Sequence, residues 1–243
     1  MRDNGIRLLS YNVHDLLDDY EALAHVIRSC RPDVAALQEV PRRPLTRRRV
    51  QRLARETGLR WSAGGVGSGG TAVFTSRRVD ILHAEVVRLP VAGLFTRTRG
   101  YALAGVQLPG CPPVTVVSVH LPLRPAERLR HAGLISRRLA VIQGPSVVAG
   151  DLNEPPSGPA WAAFGELVRD GAELLPGAGA PTYPARAPKR RIDAVLLSPG
   201  LRVERLAVAG AAEHLSAADL WAASDHLPLI ADLTLPPERH LPH

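Results

Sequence analysis

The sequence predicts an α/β protein built as a four-layer αββα sandwich, two mixed β-sheets packed face to face with helices outside. Two observations predict it. A strand–helix–strand pattern occurs twice, and the two halves of the chain match each other in order. "IRLLSYNV" (6–13) reads as a strand, "YEALAHVIRSC" (20–30) as a helix with Leu23, Val26, Ile27 and Cys30 on one face, and "DVAALQEV" (33–40) as a short, nearly apolar strand. This spacing implies a right-handed crossover between parallel strands. In the second half, "VTVVSVHL" (114–121) is a strand. Segment 125–143 places Leu129, Ala132, Ile135, Leu139 and Ile142 at helical spacing, with Pro125 suited to its first turn, and "SVVAGDLN" (146–153) follows as a strand.

Set side by side, "LLSYN" answers "VVSVH" and "DVAALQE" answers "SVVAGDLN". "TAVFTSRRVDI" (71–81) answers "DAVLLSPGLRV" (193–203), each a strand, a turn at a serine and a second strand. Segments 81–89, 100–108, 202–209 and 228–235 also read as β. We read the match as a degenerate duplication in which each half supplies one mostly β layer covered by helices. The loops at 64–70 and 176–188 are rich in Gly and Pro but too short to separate domains. One domain over 1–235 is therefore expected, with 236–243 as a frayed tail.

Composition narrows the function classes. No apolar run approaches the ~20 residues of a membrane span, and the N-terminus passes from charged residues into a strand without a leader-like apolar stretch. A soluble, cytoplasmic protein without a transmembrane segment is expected. Cys30 and Cys111 have neither metal-ligand spacing nor a disulfide framework. The formal charge of +7 invites a polyanion partner, but Lys189 is the sole lysine among 30 basic residues, so a coding bias toward arginine accounts for the composition equally well. The densest runs, "PRRPLTRRR" (41–49) and "PKRR" (188–191), read equally as solvated surface.

The sharper signal is that apolar strands end in polar groups. Asn12 ends the first strand, Glu39 the second, His120 the first strand of the second half, and Asp151 with Asn153 the strand after its helix. Asp193 opens "IDAVLLS", and "SDH" (224–226) precedes the last strand. Ligands bind at the carboxyl ends of strands wound by crossovers, and two facing sheets would gather these ends into one cleft. Taken singly, each has a bland reading: "GDLN" as an Asx turn, Ser224 or Asp225 as a helix cap. His14, His25, His83, His131 and His214 are read as structural or surface residues. Six such strand ends in one order overturn the bland readings jointly.

Carboxylates and amides without a cysteine cluster favour a hard cation, Mg²⁺ or Mn²⁺. Phosphate ester cleavage needs charge neutralisation, an oriented water and a stabilised leaving oxygen, and these residues can supply them. Glu39 and Asn12 suit the metal, while His120 and His226 suit a base and a phosphate clamp. Asp193 would orient an imidazole, and Asp151 with Asn153 would orient the water.

The ordered series "SYNVH", "LQEV", "VSVHL", "GDLNEPP", "RIDAVLLS" and "SDHLPL" resembles the endonuclease/exonuclease/phosphatase family over residues 6–235, nearly the whole chain. The resemblance implies a DNase I-like sandwich and a metal-dependent phosphoester hydrolase. By motif position it implies a metal pair at Asn12 and Glu39 with Asp225 as a further ligand, and a phosphate-side histidine at His120. It also implies a nucleophile-positioning pair at Asp151 and Asn153, and an Asp193–His226 pair.

Three departures bear on substrate. The aromatic-rich segment of AP endonucleases ahead of Asp193 is absent, as is the tryptophan–aspartate–arginine motif of inositol phosphatases. His14 also stands where some relatives carry an acid. Tyr183 is a candidate for base stacking, Arg190 or Arg191 for phosphate binding, and Arg99 for a phosphate clamp. The expected substrate is a phosphodiester, with nucleic acid favoured and a phospholipid or small organophosphate as the alternative. The rival of another class is a catalytically silent binding module, whose mark would be loss of a site residue; none is lost.

Overall fold

The computed structural model describes residues 5–43, 47–91 and 97–235, so the tail at 236–243 lies outside them. Twelve strands are found among the described residues: β1 Gly5–Asn12, β2 Val34–Gln38, β3 Arg60–Gly64, β4 Ala72–Thr75, β5 Asp80–Arg88, β6 Gly100–Gln107, β7 Val114–His120, β8 Ser146–Asp151, β9 Arg169–Asp170, β10 Asp193–Leu197, β11 Arg202–Val208 and β12 Leu229–Thr234. The α-helices are α1 Tyr20–Cys30, α2 Arg47–Thr57, α3 Pro125–Leu139, α4 Pro159–Ala162, α5 Gly171–Leu174 and α6 Ala217–Ala223. Among the described residues no helix is long and apolar enough to cross a membrane.

The strands form two six-stranded mixed sheets, β11-β12-β1-β2-β4-β3 and β5-β6-β7-β8-β10-β9. Counting six strands onward round the chain converts one order into the other. Pairing sense is conserved too, with β1–β2 and β7–β8 parallel and the remaining pairs antiparallel. The duplication is thus visible in the sheets, but the halves are not divided as the sequence suggests. Each strand–turn–strand unit leaves one sheet and enters the other, β4 to β5 and β10 to β11. Turns at the two serines redirect the chain: Val79 N donates to Ser76 O, and Leu201 N to Ser198 O.

Three apolar clusters make the layers. One lies between the first sheet and α1, α2 and α6; another lies between the second sheet and α3 and α4; the third lies between the sheets. The inter-sheet layer is mostly Ala, Val and Leu, among them Ala36, Val73, Ala104, Val116, Val147 and Val195. Each buried valine contributes about 1.5–3 kcal/mol. α3 buries Ala132, Ile135 and Leu139 as expected but departs from the expected face at Leu129. It ends at Leu139, Leu129 is 43% exposed, and Arg128 and His131 are buried instead. Arg128 Nε donates to Glu154 at 2.7 Å, an ion pair that makes burial of the guanidinium tolerable.

Strand alternation positions the site. Along the inter-sheet face, β1 presents Ile6, Leu8, Ser10 and Asn12; β7 presents Val114, Val116, Ser118 and His120; β8 presents Val147, Ala149 and Asp151. One end of the interface is therefore hydrocarbon and the other ionisable. Beneath the polar end, Ser118 Oγ donates to Leu37 O at 2.9 Å and accepts from Gln38 Nε2 at 3.3 Å, joining the sheets.

Gly150 precedes Asp151 with φ +154°, and a Cβ there would stand 1.9 Å from Val119 O on β7. Gly150→Ala should therefore lower the unfolding free energy by ~3 kcal/mol or more, because backbone rather than a movable side chain must give way. Urea denaturation checks it, and a loss under ~1 kcal/mol would contradict this strand spacing.

Candidate active site

The polar strand ends converge on Asp151, buried with 2% exposure. Its Oδ1 accepts from the amide of Asn153 at 2.8 Å. Its Oδ2 accepts from Asn12 Nδ2 at 3.2 Å and lies 3.4 Å from His120 Nε2 and 3.8 Å from His226 Nε2. Burial, reinforced by the neighbouring charge of Asp193, pushes the Asp151 carboxyl up to about 7. Asp193 lies directly across the ladder, in register with Asp151 on β8.

Asp193 Oδ2 accepts from Thr182 Oγ1 at 2.5 Å and faces His226 Nδ1 at 3.0 Å. Burial acts to lower the His226 pKa, but the charge and hydrogen bond of Asp193 outweigh it and raise the value to about 9. His226 is thus an imidazolium at neutral pH. His120 is the opposite case. Burial, followed by the positive charge of Arg99, holds it well below the ordinary 6.5. Two nitrogen donors bracket its ring, Arg99 Nη1 3.3 Å from Nδ1 and Asn153 Nδ2 3.0 Å from Nε2. A neutral ring can accept from only one of them, so a further proton is disfavoured.

Glu39 and Asn153 occupy the left-handed backbone region, at φ 53° and 56°. Asparagine tolerates it; glutamate does so at a cost of order 1 kcal/mol, offset by Asp15 N donating to Glu39 O and Val40 N to Gly70 O. Glu39 Oε1 then lies 3.4 Å from Asn12 Nδ2 and 3.9 Å from His120 Nε2. Asp225 Oδ1 is shielded from solvent without a hydrogen-bond donor, and His14 Nδ1 is 3.9 Å away. Carboxylate oxygens such as those of Asp225 and Glu39, and the Asn12 amide oxygen, are hard donors of the type that suits Mg²⁺ or Mn²⁺. Asp151, Asp193 and His226 also present ligand atoms within 4.8 Å of one another. There, however, Asp193 Oδ2 is already committed to Thr182 and His226.

Of the substrate-side candidates, Arg99 and Tyr183 are brought to the cluster. The Tyr183 ring centroid is 4.7 Å from that of His226, with Arg190 5.9 Å from the Tyr183 ring. Arg191 has its partners elsewhere: Nη2 bonds Asp170 at 2.6 Å and the guanidinium lies over Trp161 at 4.9 Å, so it braces β9.

Several site residues escaped sequence reading. Thr182 bonds Asp193, and Ser224 Oγ bonds Asn12 O at 2.7 Å. Glu154 anchors the loop that carries Asn153, and Gln38 with Ser118 form the floor. His14 is structural as expected, its amide donating to Asn12 Oδ1 at 3.1 Å and its ring to Asp18 at 2.8 Å. The "PTYP" and "DLNEPP" strings carried signals for Thr182 and Glu154; nothing local marked Ser118.

Two mixed sheets face to face, with imidazoles, carboxylates and amides gathered at one edge, define the DNase I-like class of sandwich. The chain belongs to the Endonuclease/Exonuclease/phosphatase family, whose model matches residues 9–226. Among curated protein sequences none matches it. It is similar in structure to an endonuclease/exonuclease/phosphatase from Bacteroides vulgatus (TM-score 0.77, 18% identity, 96% of this chain and 100% of that chain covered). It is similar also to a mannosyl-6-phosphatase of Bacteroides thetaiotaomicron (0.72, 18%, 95% and 100%) and to D. rerio TDP2 complexed with single strand DNA product (0.72, 19%, 96% and 100%).

Asp193→Asn removes the charge that holds the His226 proton while burial remains. In metal-free protein the His226 imidazole should then titrate near or below the ordinary 6.5 instead of about 9. NMR of the ring protons reads this directly, and an unmoved titration would mean Asp193 is not the cause. Glu154→Ala should cost about 3–5 kcal/mol in thermal or urea unfolding, since Arg128 would be left buried and unpaired.

Proposed function

We propose that the chain is a divalent-metal-dependent phosphodiesterase that cleaves a nucleic-acid phosphodiester by direct attack of water on phosphorus. The observation that carries this reading is the convergence of His120, His226 and Asn12 on the one buried carboxylate, Asp151, beside a hard oxygen donor set.

Asn12, Glu39 and Asp225 would hold the ion, which when bound supplies charge neutralisation for the phosphate oxygens and the leaving oxygen. Asp151 is oriented by Asn153 N and Asn12, and its raised pKa gives it the basicity to accept a proton from water near neutral pH. Asp193 fixes the Nδ1 side of His226, so the Nε2–H is left to donate to a phosphate oxygen. His120 and Asn153 flank the opposite side, and Arg99 stands behind His120 as a permanent cation. Thr182 acts through Asp193 as a positioning residue.

Nucleic acid is supported by the charge of +7, by the Tyr183 ring beside His226 as a stacking surface, and by the likeness to TDP2, which was seen with a single-strand DNA product. A second reading, a phosphomonoester of a small sugar, is supported by the equally good structural likeness to the mannosyl-6-phosphatase.

The test is hydrolysis of bis-p-nitrophenyl phosphate and p-nitrophenyl phosphate with Mg²⁺, Mn²⁺ or EDTA. Diester turnover should be abolished by EDTA and fall on the order of 10³-fold or more in Asp151→Asn. Preference for the monoester would favour the second reading, and turnover indifferent to EDTA and to Asp151 would refute both. Substrate class is read by salt: oligonucleotide affinity should fall steeply between 50 and 200 mM salt, by about 10-fold or more if two or more phosphates are contacted. A flat response would exclude a polyanion.

A further inference from the structure

Beside the catalytic cluster lies a cavity of about 350 Å³ lined by Arg42, Arg43, Arg88, Arg97, Thr98, Val66 and Asp15, within the size range of ligand sites. Four guanidiniums from three segments share it with a single carboxylate. Arg42 follows β2, Arg88 ends β5, and Arg97 enters β6. Several arginines elsewhere are ion-paired. Arg52 is paired with Glu21 and Glu56, Arg138 with Glu85, and Arg205 with Glu213. Arg88 and Arg97 are exposed and make no ion pair with a described residue. Arg42 is held in place, with Nη1 donating to Thr98 O at 3.0 Å. Gathering like charges around one space is unfavourable until an anion enters, and guanidiniums present the donor forks that phosphate matches.

The cavity is joined to the catalytic centre by the chain itself. Arg97 and Thr98 run into Arg99, whose Nη1 meets His120 Nδ1 at 3.3 Å. Two residues of extended chain span at most about 7 Å. The charges of Arg42 and Arg97 are felt at both His120 and Arg99. On its far side a second cavity of about 540 Å³ shares Arg43 and Val66 and continues past Trp61.

We propose that the Arg42–Arg43–Arg88–Arg97 cavity is a second anion subsite, which takes the phosphate adjacent to the scissile one on a nucleic-acid strand. The subsite rests on the phosphodiesterase reading for its meaning, but not for its detection. Its substrate carries at least two phosphates in series, so a lone phosphomonoester would leave it empty.

Calorimetry on the full chain tests it, comparing thymidine 3′,5′-bisphosphate with thymidine 5′- and 3′-monophosphates. The bisphosphate should bind about tenfold or more tighter than either monophosphate, and the ratio should fall to about one in Arg88→Ala/Arg97→Ala. Both side chains are exposed, and circular dichroism verifies that the variant folds. A ratio near one in the unsubstituted chain, or an unchanged ratio in the variant, overturns the proposal. Inorganic phosphate alone is the further arm: if it binds in a way the double variant abolishes, while the bisphosphate gains nothing over the monophosphates, the cavity serves a free anion and the strand subsite is refuted. Metal-dependent turnover of bis-p-nitrophenyl phosphate is scored separately. Its absence beside an intact tenfold ratio would sink the hydrolase reading and leave the subsite standing.

Discussion

Everything at the edge of the sandwich depends on how one buried aspartate is satisfied. Asp151 sits between two sheets where an isolated carboxylate would cost several kcal/mol, and it is tolerated because an amide, a backbone N–H and two imidazoles converge on it. The same convergence makes the histidines unequal. His226, with Asp193 behind it, keeps its proton; His120, with Arg99 behind it, cannot gain one. Two identical side chains about one carboxylate thus carry opposite proton states, set by what stands on the far ring nitrogen.

That arrangement requires a rigid frame, and the sheets provide most of it. Asn12, His120, Asp151 and Asp193 are all terminal residues of strands, so their Cβ directions are fixed by ladder hydrogen bonds. Glu39, Asn153 and His226 lie just beyond a strand or between elements. They are held by specific bonds: a left-handed turn locked by Asp15 and Gly70 for Glu39, the Asx-type bond to Asp151 for Asn153, and Ser224 with Thr182 for the segment around His226. Loop 182–185 is clipped to this last segment, with Ala185 N donating to Asp225 O and Leu227 N to Thr182 O.

How much of this could be read from sequence follows from the range of the interactions. A polar end to an apolar strand is a local signal, and it marks Asn12, His120 and Asp151 in the sequence as ends gathered into one cleft. The strand–turn–strand units were legible as elements but not as crossings, because whether "TSRR" turns back or passes to the facing sheet is decided by partners such as Asp33 O for Ser76 N. Arg191 looked like a phosphate ligand because it flanks Asp193 in the sequence. Its guanidinium instead finds Asp170 and Trp161, both distant in sequence. Ala132, Ile135 and Leu139 lie on the buried face of α3 as expected, but Arg128 takes the place expected of Leu129, since Glu154, distant in sequence, supplies its partner. Ser118 was invisible for the same reason: a hydroxyl reveals its acceptor only when the chain is folded.

The six-strand offset between the sheets has a further meaning at the site. Under it β1 corresponds to β7 and β2 to β8, so the paired ends Asn12 and Gln38 are the counterparts of His120 and Asp151. The same parallel strand pair thus occurs twice, once finished in amides with an acid one residue on, once finished in an imidazole and an acid. The cluster is therefore a hybrid assembled across a pseudo-dyad. Divergence at either pair could proceed on its own, which is how a repeated scaffold acquires an asymmetric chemistry.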